Sequence, residues 1–120
     1  MSKSSKTIVL KSSDGQSFKI EEAAVQLMGT IKPIIQQTVT KTISIPIPNV
    51  TGNILSKIID YCRKHVSHKE DEDALIEFDF EFGNVDEATL ISLADAARVL
   101  EIKCLSTLCT LVTRLMDFLV

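Results

Sequence analysis

The chain has 120 residues, of which 45% are hydrophobic and 24% charged, with a formal net charge of −3. This size fits one domain with its own core, and the apolar content excludes an intrinsically disordered chain. The acidic balance argues against nucleic acid as the main ligand. No apolar run approaches the roughly 18 residues of a membrane span, so we expect no membrane insertion.

The polar start of the chain lacks the apolar region of a signal peptide. With three cysteines and no export signal, reduced thiols are expected, which is typical of a protein of the nucleus and cytoplasm. We expect residues 1–6 to form a flexible tail ahead of a single domain over 7–120.

Three strands are predicted in the first half of the chain. Residues 7–11 and 18–20 alternate apolar and polar side chains, and the link between them contains Gly15, which is typical of a β-hairpin. The β-branched run 38–47 predicts the third strand.

Helices are predicted around these strands. The acidic pair at 21–22 begins a short helix, Thr30 is expected to cap a second one, and Asn49 or Thr51 a third. The polar stretch near 66–75 predicts a solvated acidic loop.

The second half of the chain combines one ambiguous segment with two helices. Residues 77–82 alternate acidic residues with phenylalanine and by pattern alone predict a strand. Asp86 is expected to cap a helix that ends near Leu100. The last helix, over 104–120, is apolar around roughly 200° of its circumference, whereas a stripe of roughly 100° is enough to face a core. Since no sequence follows that could cover the rest, we expect a partner protein to do so.

A metal or catalytic site has weak support. Cys62, His65 and His68 have a spacing that resembles zinc ligands, but a fourth ligand would have to come from Cys104 or Cys109 on a distant helix. We favour a core cysteine followed by two solvent-facing histidines at a helix end. No phosphate-binding loop or nucleophile motif occurs, so we expect neither an enzyme nor a cofactor or metal.

Three stretches in this order resemble the S-phase kinase-associated protein (Skp) family, the adaptors of SCF ubiquitin ligases, and look most like its plant members. They lie at 8–15 (IVLKSSDG), 45–50 (IPIPNV) and 85–103 (VDEATL continuing to AARVLEIK). The resemblance implies an α+β chain with the BTB/POZ fold, a small three-stranded sheet packed with a helical cluster. It also implies a short helical turn at 78–82, where the family carries a Trp-Asp-x-x-Phe pattern.

The resemblance further implies an adaptor that bridges a cullin and an F-box protein in protein ubiquitination and makes or breaks no bond itself. The F-box protein would bind the last helix, at Leu108, Leu111, Leu115 and Phe118. Family members continue with two more helices that contribute to this contact, so we expect weakened F-box binding.

Arg98 and Val99 stand where the family has an Asn-Tyr pair on the cullin-facing surface. Valine lacks the area and polar tip of tyrosine, which leaves cullin binding undecided at this point. Other interpretations stay open. One is a degenerate or elongin-C-like BTB protein that binds one partner without supporting ubiquitination. Another is a homodimer that pairs through the last helix.

Overall fold

The computed structural model describes residues 7–39, 41–68 and 70–119, with side chains up to residue 115. The tail predicted over 1–6 lies outside the described residues. The elements follow in the order β1 (Thr7–Lys11), β2 (Ser17–Ile20), α1 (Glu22–Val25), α2 (Lys32–Gln37), β3 (Thr42–Pro46), α3 (Gly52–Ser67), α4 (Glu72–Phe82), α5 (Glu87–Leu100) and α6 (Lys103–Leu119). This confirms the predicted α+β class with a small sheet and a cluster of helices.

The sheet has the order β2-β1-β3, with β1 in the centre. β1 pairs antiparallel with β2, as the hairpin pattern predicts, and parallel with β3. β3 begins at Thr42 rather than at residue 38, because Thr38 ends α2 and its hydroxyl donates to the Ile34 carbonyl at 2.6 Å.

One face of the sheet and the inner faces of the helices form a single core. Ile8 and Leu10 of β1 are fully buried, which agrees with the predicted alternation. α3 packs against β2, α5 packs against α3, and α6 packs against α5. The largest buried side chains are Tyr61, Ile8, Leu10, Met28, Ile31, Leu55, Ile58, Leu93, Leu100, Ile102, Leu105 and Val25.

The start of α3 is capped by a residue of the β1–β2 hairpin. Thr51 occupies the N-cap position but makes no side-chain capping bond. Instead, an Asp14 carboxylate oxygen accepts a hydrogen bond from the Gly52 backbone N–H at 3.0 Å and a second one from the Ser12 hydroxyl. The cap therefore joins the sheet to the helix and satisfies a backbone donor that the helix leaves free.

Thr30 does not cap α2, and that prediction is wrong. Its hydroxyl donates to the Val99 carbonyl at 2.8 Å, while the N–H groups of Gly29 and Thr30 donate to the Glu101 and Leu100 carbonyls, each at 3.1 Å. Carbonyls in the last turn of a helix lack intrahelical donors. Gly29 and Thr30 supply these donors, which attaches the 29–30 segment to the end of α5.

The acidic segment is more helical than its composition suggests. α3 continues through Ser67. The Asp71 carboxylate caps α4 by accepting a hydrogen bond from the Ala74 N–H at 3.1 Å. The loop between the two helices is therefore shorter than the predicted 66–75. Acidic residues favour a helix start because they face its positive end. Residues 77–82 are helical, which agrees with the implied helical turn and contradicts the alternation. None of the helices in the described part of the chain has the length and hydropathy to span a membrane.

The Asp14 cap predicts a pH-dependent stability. The Ser12 hydroxyl, followed by the Gly52 N–H, holds the pKa of Asp14 below its ordinary value of 3.8. Its stabilising contribution is therefore complete above that value and is lost as the pH falls through the lowered pKa. We expect Asp14→Asn to lower the thermal midpoint at neutral pH, and the difference from wild type to vanish in strong acid. Circular dichroism melts across pH test this, with Asp60→Asn as the surface control. A difference that does not change with pH would contradict it.

The end of α5 predicts a stabilising substitution. Glu101 adopts the left-handed conformation (φ 57°, ψ 50°), and the next N–H, of Ile102, donates to the Ala97 carbonyl at 2.9 Å. Glycine adopts this conformation without the steric penalty of a Cβ atom, so we expect Glu101→Gly to raise the free energy of unfolding by about 0.5–1 kcal/mol. Glu101→Ala keeps the Cβ and is the matched control. Urea unfolding measures the free energy of unfolding of both variants. Equal values would contradict the expectation that a Cβ atom strains this position.

Candidate partner-binding surface

α6 reaches its position through a short turn after α5. Ile102 is buried in this turn, and Leu105 and Cys109 of α6 are 0% and 2% exposed. These side chains close the core on one side of α6, which sets the rotation of the helix about its axis.

The apolar arc of α6 is divided between the core and solvent. Leu108 and Val112 are half-buried and pack against the core, whereas Leu111 and Leu115 are 55% and 58% exposed. These two leucines lie one turn apart and form an apolar ridge. Of the four residues predicted for the F-box surface, Leu111 and Leu115 thus face solvent and Leu108 faces mainly inward. The side chain of Phe118 lies outside the described residues.

One groove runs beside this ridge, and a second groove adjoins the first. One, of about 470 Å³, is lined by Ser106, Thr107, Thr110, Leu111 and Arg114. The other, of about 500 Å³, is lined by Ala97, Arg98, Glu101, Lys103, Ser106 and Thr107. The Thr107 and Thr110 hydroxyls donate to carbonyls of their own helix, each at 3.0 Å. Arg114 forms no ion pair with any described residue, so the surface offers apolar area and a free guanidinium.

The two positions predicted to face a cullin differ in their surroundings. Arg98 donates to the Asp95 carboxylate at 3.0 Å on the exposed side of α5, and it also lines the second groove. Val99 is 45% exposed, and its carbonyl accepts the Thr30 hydroxyl. The structure therefore brings Arg98, but not Val99, to the edge of the α6 surface.

An aromatic cluster that the sequence analysis missed attaches α4 to α3. Tyr61 is buried and stacks on His65 with ring centroids 4.2 Å apart, and Phe82 lies 5.1 Å from Tyr61. His65 also pairs with the Asp79 carboxylate at 2.7 Å. The cluster holds the Phe78, Asp79 and Phe82 side chains of the family-like pattern. The i, i+4 spacing of Tyr61 with His65, and of Phe78 with Phe82, was the available signal.

The surroundings of Cys62 and His65, two of the three residues with zinc-like spacing, do not suit a zinc site. Cys62 is buried, and burial raises the pKa of its thiol to about 12, which disfavours the thiolate that binds metal. The expectation that His65 faces solvent is wrong, because its ring is enclosed by the aromatic cluster and its side chain is only 16% exposed. Within the described residues, no three His, Cys, Asp or Glu side chains are grouped to hold a metal ion.

Comparison with known proteins agrees with the fold and the order of its motifs. Residues 6–67 match the family model described as the Skp1 family, tetramerisation domain. SKP1-like protein 4 of Arabidopsis thaliana is 43% identical over 114 residues, covering 85% of this chain and 69% of that protein. SKP1-like protein 1A of Arabidopsis thaliana is 40% identical, covering 83% of this chain and 69% of its own. SKP1-like protein 20 of Oryza sativa subsp. japonica is 38% identical, and the match covers 80% of this chain and 66% of that protein. The chain therefore belongs to the Skp1 family and has its BTB/POZ fold.

Proposed function

We propose that the protein is an adaptor subunit of an SCF (cullin-RING) E3 ubiquitin ligase that bridges a cullin and an F-box protein. Membership of the Skp1 family supports an adaptor role in general. The observation that carries the proposal is the exposed ridge of Leu111 and Leu115, on a helix whose opposite side closes the core.

The F-box protein is proposed to bind this ridge. Two leucines one turn apart are the kind of apolar anchor that amphipathic helices use at interfaces. Fully burying an exposed leucine contributes about 1.5–3 kcal/mol. Leu111 and Leu115 are a little over half exposed, so covering each contributes roughly half of that. The neighbouring groove, which contains Arg114, offers a positive charge to a carboxylate or a helix C-terminus of the partner.

The cullin is proposed to contact the exposed side of α5 at Arg98 and Val99. Both side chains face solvent, so the surface is available, but it lacks the large ring that anchors interfaces. We expect the affinity for cullin to be lower than that of a chain with the Asn-Tyr pair. The turn at Glu101 and Ile102 links the two surfaces, which gives the adaptor a defined geometry between its partners.

Removing the apolar ridge is expected to weaken F-box binding. The double variant Leu111→Ser with Leu115→Ser loses both anchors, so we expect its affinity for an F-box domain to fall about tenfold or more. Isothermal titration calorimetry measures the affinity, and circular dichroism checks that the helices remain.

The matched control for this experiment is Ile91→Ser with Val99→Ser, since both residues are exposed on α5. It is expected to bind the F-box domain like wild type. Equal affinity of the ridge variant and wild type would refute the assignment of α6. A wild-type dimer that the ridge variant dissociates in sedimentation would favour the homodimer instead.

Restoring the family residues is expected to strengthen cullin binding. Arg98→Asn with Val99→Tyr adds a ring with a polar tip at an exposed position, and we expect about a tenfold gain in affinity for a cullin N-terminal domain. Asp60→Tyr adds the same ring at an exposed position of α3 and should leave the affinity unchanged. An unchanged or lower affinity of the double variant, measured by calorimetry, would exclude this part of α5 from the cullin contact.

A further inference from the structure

α4 is apolar on two opposite faces, and the described residues of the chain cover only one of them. Phe78 and Phe82 are half-buried against Tyr61 of α3. On the other face, Ile76 is 67% and Phe80 79% exposed, and no residue of α4 is fully buried. Large apolar side chains that are adjacent and this exposed mark an interaction site on a folded domain.

The exposed pair is surrounded by acidic side chains. Projected at 100° per residue, one glutamate lies beside Ile76 and three further carboxylates follow on the other side of Phe80. All four are exposed, and no lysine, arginine or histidine of the described residues forms an ion pair with them. These carboxylates belong to Glu72, Asp73, Glu77 and Glu81.

We propose that this outer face of α4, formed by Ile76 and Phe80 and their four carboxylates, binds a basic amphipathic helix of another protein. Ile76 and Phe80 are one turn apart and form a ridge that fits between the apolar side chains of a second helix. The unpaired carboxylates favour a partner with lysine or arginine beside its apolar stripe. A second copy of α4 would bring like charges together, which disfavours self-pairing at this face.

The inference is independent of the proposed adaptor function. It concerns α4, whereas the F-box and cullin proposals rest on α6 and α5. Loss of binding at one of these helices leaves the others unaffected, so the proposals fail separately.

The test uses the full chain and a fluorescently labelled synthetic peptide of leucine and lysine, about 18 residues long, with leucines at helical spacing. Phe80→Ser is expected to weaken peptide binding about tenfold or more, because it removes the larger apolar anchor. Phe80→Leu should retain most of the affinity. Glu77→Lys with Glu81→Lys should weaken binding and reduce its dependence on salt. Fluorescence anisotropy gives the affinities, and circular dichroism confirms the fold of each variant.

Two variants and one peptide serve as controls. Ile91→Ser and Asp95→Lys, both on α5, alter the same kinds of exposed side chain elsewhere and should leave the affinity unchanged. A peptide with glutamate in place of lysine should not bind. The inference is overturned if the lysine peptide does not bind, or if Phe80→Ser binds it like wild type. It is also overturned if Ile91→Ser weakens binding equally, or if sedimentation shows a dimer that Phe80→Ser dissociates.

Discussion

The rotation of α6 about its own axis is the constraint on which the candidate binding surface depends. Leu105 and Cys109 are buried, and each residue of a helix turns by 100°, so their position also sets the direction of Leu111 and Leu115. Rotating α6 to cover the exposed leucines would expose the residues that close the core. A helix that is apolar around so wide an arc cannot bury all of it against one domain.

Hydrogen bonds at the end of α5 fix the turn that leads into α6. The N–H groups of Gly29 and Thr30 reach the last carbonyls of α5, and the Ile102 N–H closes the turn that leads into α6. Similarly, Asp14 joins the hairpin to the start of α3. In both places a helix end is satisfied by another element rather than by its own neighbours. α5 and α6 also pack directly against each other, which is what the proposed bridging of two partners requires.

α4 is attached by a different kind of contact. Half-buried rings and the pair between His65 and Asp79 hold it on α3, with no residue fully enclosed. A helix with few buried contacts opens at a lower free energy than the core helices. A ligand that binds only the folded helix would stabilise it by mass action. The exposed ridge of Ile76 and Phe80 thus lies on a helix that a bound partner would stabilise.

Local patterns were sufficient for the parts of the fold that depend on neighbours in the chain. Alternation predicted β1 and the hairpin, Asp86 predicted the start of α5, and helical spacing predicted the wide apolar arc of α6. At residues 77–82 the alternation was misleading, because packing of Phe78 and Phe82 on Tyr61 requires side chains one helical turn apart.

The partners of Asp14, Thr30 and His65 lie 38, 69 and 14 residues away, so no local spacing reveals them. Which half of the α6 arc faces solvent was likewise decided only by its packing on α5. The free energy that favours burying one half of the arc comes from contacts between segments that are distant in the chain.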